Sequence, residues 1–138
     1  MNIRFQARFV CLSIALRTSA AFGTDLRDGL AHPELFHYVL AYSGGFGSLG
    51  VESATVNVEM QAPWKELLAN PDVAKRSLRL LFLGCGQDEA GLFEPGKKLA
   101  GLLKEKGVRT EWADHPGGHV FSVWRNHLNE SVPMLFQK

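Results

Sequence analysis

Residues 114–125 read Asp-His-Pro-Gly-Gly-His-Val-Phe-Ser-Val-Trp-Arg. The Pro116-Gly117-Gly118 turn brings little side-chain bulk, so it delivers His119 at a loop tip just where an amphipathic segment begins. An imidazole presented this way suits general-base chemistry near neutral pH. Such a base needs an orienting carboxylate, a nucleophile and an oxyanion site, and the rest of the chain must position all three.

The elements that would do so alternate between strand and helix. Residues 37–42 read as a short buried strand closed by Ser43-Gly44-Gly45, and residues 51–60 as an irregular connection or loose strand. Residues 63–68 carry a proline in the first turn of a short helix, and Asn70-Pro71-Asp72 starts another helical piece. Residues 77–83 form a nearly continuous apolar run around one arginine, the pattern of a strand buried on both faces of a parallel sheet. Gly84-Cys85-Gly86 ends it. From 93 to 106, Leu99, Leu102 and Leu103 share one face among lysines, with Gly107 as a stop. Residues 108–113 give the next strand, after which Val120, Phe121, Trp124 and Leu128 recur at helical spacing. The expected architecture is α/β, a mainly parallel sheet flanked by helices, with chemistry at the carboxyl ends of its strands. Asp88 and His119 both fall just after such ends.

Composition narrows the function classes. At 138 residues the chain reads as a single domain, and a formal net charge of +1 creates no field to draw nucleic acid or an anionic surface. No stretch approaches the ~20 apolar residues of a membrane span, so the reading is a soluble chain. Cys11 and Cys85 form neither a disulfide framework nor a metal-ligand pattern, and each reads as a small buried hydrophobe. Residues 1–21 admit a secretory signal: Arg4 and Arg8 precede an apolar run over 9–16, and Ser19-Ala20-Ala21 offers a cleavage site. Arg17, between run and site, argues against it. The compartment is therefore left open between secreted or periplasmic and cytoplasmic.

Four segments in order, His32-Pro33-Glu34-Leu35-Phe36, Ala41-Tyr42-Ser43-Gly44-Gly45-Phe46, Leu81-Phe82-Leu83-Gly84-Cys85-Gly86 and Pro116-Gly117-Gly118-His119 with Val123-Trp124-Arg125, give the chain a family likeness. It resembles the α/β-hydrolase family of feruloyl and acetylxylan esterases, enterochelin esterases and the esterase D group. The likeness covers the C-terminal half of a family domain and so implies a partial α/β-hydrolase. It implies serine-dependent hydrolysis of a carbohydrate-linked or other small carboxylic ester through an acyl-enzyme, with no cofactor. It also implies a catalytic triad. His119 would be its base and Asp88 its acid, with Glu89 as the competing carboxylate. The nucleophile would be Ser19, and the backbone N–H of Ala20 one oxyanion donor. Around Ser19 the sequence is Arg17-Thr18-Ser19-Ala20-Ala21-Phe22, without the family's elbow glycines, which serve a strained strand-to-helix turn. Ser43, in Ala41-x-Ser43-x-Gly45, is the rival nucleophile.

Other motifs carry less chemistry. Gly45-Phe46-Gly47-Ser48-Leu49-Gly50 matches a dinucleotide fingerprint, but no helix pattern follows it. His115 and His119 have zinc-like spacing, yet Pro116-Gly117-Gly118 prevents a shared helical face, so no metal is expected. Trp124, one turn after His119, is a candidate substrate-binding residue as well as a helix-core residue, and Phe121 reads as core. The competing function is a truncated, catalytically inactive paralogue that only binds ligand. A homodimer that completes its sheet by strand exchange is a further expectation.

Overall fold

A computed structural model describes residues 32, 36–44, 66–135 and 137. Three strands, β1 (Tyr38–Tyr42), β2 (Leu80–Gly86) and β3 (Thr110–His115), form one parallel sheet in the order β1-β2-β3. Between them lie helices α1 (Pro71–Ser77) and α2 (Phe93–Glu105); α3 (Phe121–Ser131) follows β3 and runs into a short 3-10 turn at Val132–Met134. The alternating order thus yields a partial α/β fold with helices on both sheet faces. Ser19, Ala20, Cys11, the 45–50 glycine motif and the 51–60 connection lie outside the described residues.

The apolar strands are explained by their two-sided burial. Along a strand successive side chains point to opposite faces, so a strand covered on both sides needs apolar residues at every position. Leu81, Leu83 and Cys85 join Val39, Ala41, Ala74, Leu99, Ala100 and Leu103 in one core beneath α1 and α2. Leu80 and Phe82 join Tyr38, Leu40, Tyr42 and Trp124 in the other, beneath α3. Cys85 is a free, fully buried thiol, and burial pushes its pKa up to about 12. It acts as a small core hydrophobe.

The element bounds shift where backbone hydrogen bonds decide them. The apolar run begins at Ser77, but the Leu78 N–H still closes the last turn of α1 on the Ala74 carbonyl. Arg79 and Leu80 then donate to the His37 carbonyl, and the strand starts at Leu80. Gly107 ends α2 at φ 79°, a left-handed conformation suited to glycine. In α3 the buried face is Val123, Trp124, His127 and Ser131, not the expected stripe through Val120 and Phe121, which are 47% and 60% exposed. Val120 is the N-cap and Phe121 the first residue of α3, where their apolar side chains face solvent. The Tyr42 and Ser131 hydroxyls share a hydrogen bond of 2.5 Å that ties α3 to β1.

Two glycines of β2 permit the close packing around its end. A Cβ at Gly84 would meet the His127 ring at 2.7 Å, and one at Gly86 would meet the Gly117 carbonyl oxygen at 2.3 Å. The second clash is with backbone and cannot be relieved by a side-chain rotation. Gly86→Ala is therefore expected to lower the unfolding free energy by about 1–3 kcal/mol in urea denaturation. Gly101, within α2 and with open space at its Cβ position, should respond oppositely: Gly101→Ala gains about 0.5–1 kcal/mol from helix propensity.

Candidate active site

The carboxyl ends of all three strands meet at one carboxylate. β2 stops at Gly86, and the following turn is closed by the Glu89 N–H donating to the Gly86 carbonyl at 3.1 Å. In return the Gly86 N–H donates to Glu89 Oε1 at 2.8 Å, folding the side chain back over the strand end. Glu89 is buried, its side chain 2% exposed. Ser43, the residue after β1, donates its hydroxyl to the same Oε1 at 2.5 Å. The other oxygen, Oε2, accepts Nδ1–H of His119 at 2.8 Å.

The loop that carries His119 is fastened to the Glu89 turn through its backbone. Gln87 N–H donates to the His115 carbonyl at 2.9 Å and Asp88 N–H to the Gly117 carbonyl at 3.0 Å. Gly117 has φ 119°, and a Cβ there would meet Val123 Cγ2 at 2.9 Å, so the loop needs glycine for conformation and for space. The side chain of His119 is 41% exposed. With Nδ1 engaged by Glu89, base chemistry belongs to Nε2.

Trp124 completes the support. It is 7% exposed, its indole Nε1–H donates to Ser43 Oγ at 2.9 Å, and its ring meets that of His119 edge-on at 4.8 Å between centroids. Of the two expectations for Trp124, its position matches the helix-core one: the ring is buried in the α3 core, with its polar edge committed to Ser43. One side chain thus braces His119 by packing and Glu89 through Ser43.

The electrostatics favour an ionised acid. Burial alone would push the Glu89 carboxyl up, but hydrogen bonds from Ser43, His119 and the Gly86 N–H together hold it below its ordinary range. An ionised Glu89 that accepts the His119 Nδ1–H orients the ring and would stabilise an imidazolium.

The expected carboxylate, Asp88, is one residue out of place. Its side chain is exposed, and its contribution to the loop is its backbone N–H on Gly117. The turn from Gly86 rotates position 89 inward and position 88 outward, so the structure brings Glu89 rather than Asp88 to His119. Ser43 sits on the side of the acid away from the base: its proton goes to Glu89 and its oxygen accepts Trp124, so its bonds run to the acid and the indole. It sits at φ 52°, an uncommon conformation for a residue with a Cβ, and is 4% exposed. Those features fit a buried carboxylate support. The sequence signal for it was a serine after a strand, which equally suggested a nucleophile.

No protein-family model matches the chain. Among solved structures, it is similar to a ferulic acid esterase, with a TM-score of 0.63 and 21% identity over 83% of this chain and 47% of that one. It is also similar to the enterochelin esterase from Shigella flexneri, with a TM-score of 0.57 and 26% identity over 81% of this chain and 27% of that one. The chain thus spans about half the length of one of these esterases and about a quarter of the other. What it shares with both is an esterase-like α/β fold.

Proposed function

We propose that this chain carries the acid and base of a serine carboxylic-ester hydrolase. The carrying observation is the 2.8 Å contact between His119 Nδ1 and a buried Glu89 whose second oxygen is fixed by Ser43 and Gly86. In this reading Ser19 is the nucleophile. His119 Nε2 takes its proton as Oγ attacks the ester carbonyl, with the Ala20 N–H directed at the developing oxyanion. The alkoxide leaves with that proton, and water, activated by the same imidazole, releases the acid. Glu89 stays ionised throughout and holds the imidazolium. The substrate class is a carbohydrate-linked or other small ester; the similarity to a ferulic acid esterase and an enterochelin esterase supports it. No cofactor enters these steps.

Turnover of p-nitrophenyl acetate and of a chromogenic ferulate ester tests the assignment. His119→Ala and Glu89→Ala should each lower kcat/KM by about 10²–10⁴-fold, whereas Asp88→Asn should leave it unchanged. Wild-type turnover no higher than that of His119→Ala would sink the enzyme reading and favour a chain that only binds ligand.

The depressed Glu89 pKa makes a separate prediction for stability. A carboxyl held below its ordinary value of 4.5 in the native state contributes stability that is fully present above that value. The contribution is lost as the pH falls through the native pKa. Glu89→Gln should therefore lower the urea midpoint at neutral pH, with the gap to wild type narrowing in acid. A gap independent of pH would contradict an ionised Glu89.

A further inference from the structure

A second cluster lies beside the first, between the end of β3 and α3. His127 projects from α3 onto β2 so closely that its ring covers Gly84. It is completely buried; its ring lies near the Cys85 backbone, but neither ring nitrogen has a partner in hydrogen-bond geometry among the described residues. A buried donor or acceptor left unmet costs about 1–3 kcal/mol, and a metal ion at one nitrogen of this ring would remove that cost there. The neighbouring groups indicate which. His115, the last residue of β3, has its ring centroid 5.0 Å from that of His127. Its Nε2 is 3.0 Å from Glu130 Oε1, within ion-pair distance but outside hydrogen-bond geometry. One ligand atom from each of His115, His127 and Glu130 lies within 4.8 Å of the other two.

We propose that His115, His127 and Glu130 bind a zinc-type divalent ion that clamps α3 to the end of β3. Two imidazole nitrogens and one carboxylate oxygen suit zinc and its first-row neighbours, whereas calcium and magnesium prefer all-oxygen sets. Ligand bonds of about 2.0–2.2 Å place tetrahedral donors about 3.4 Å apart, so the cluster must close by roughly an ångström. Glu130, with a side chain 44% exposed, and His115, at a strand end, are the two ligands placed to move. The spacing that binds is thus His115 with His127 and Glu130 across two elements, not His115 with His119 along the chain. The fourth position is left to water, as in three-ligand zinc sites.

The test is zinc titration of the full chain after chelator treatment, by calorimetry, with cobalt absorption reporting the ligand field. Saturable binding of one ion per chain, with a thermal midpoint that rises on addition of zinc, is expected. Glu130→Gln and His115→Gln, at accessible positions, should each weaken binding by at least about tenfold while far-ultraviolet circular dichroism stays unchanged. His119→Ala should leave the affinity as it is. Absence of saturable binding, wild-type affinity in the Glu130 and His115 variants, or loss of binding in His119→Ala would each overturn the proposal.

Discussion

The site depends on keeping one carboxylate charged while it is buried. Desolvating a carboxylate is costly unless its oxygens are met by donors, and Glu89 meets that requirement from three parts of the chain. Gly86 supplies a backbone N–H from β2, Ser43 a hydroxyl from the end of β1, and His119 an imidazole N–H from the loop after β3. No two of these donors come from the same element. The carboxylate therefore requires the three strand ends to be in register, and removal of a single donor would leave it buried with fewer partners.

The rest of the fold serves that convergence. A parallel sheet brings all its carboxyl ends to one edge, which is why residues as far apart as 43, 89 and 119 meet. Glycine then allows the strands' extensions to touch. Gly86 lets the Gly117 and Gly118 carbonyls pass where a side chain would stand, and Gly84 lets α3 settle on β2 through His127. Trp124 joins these layers: it lies in the α3 core, contacts His119 and donates to the serine that holds Glu89.

Much of this was legible from residue pattern. The apolar run through Leu80–Leu83 announced a strand covered on both faces, and Leu99 and Leu103 the helix that covers one of them. The Pro-Gly-Gly-His turn announced an exposed imidazole. The resemblance favoured Asp88 over Glu89 as the acid, and nothing in composition could separate the two neighbours. The inward position is chosen by the Gly86 N–H and the Gly117 contact, both long-range or conformational facts. Trp124 was ambiguous for a related reason: helical spacing places it near His119 either as core or as pocket wall. What resolves it is a hydroxyl 81 residues earlier in the chain. Helical spacing also overextended the apolar stripe to Val120 and Phe121, since a period does not reveal where a helix meets its sheet.

The similarity to esterases gives the fold, while the assignment of chemistry rests on how Glu89 holds His119. The most direct measurement is the tautomer of the neutral His119 ring by two-dimensional nitrogen NMR. The account predicts a proton on Nδ1 and a bare Nε2, a preference that persists in Asp88→Asn and disappears in Glu89→Ala. A wild-type ring protonated on Nε2, or a preference that survives Glu89→Ala, would contradict it.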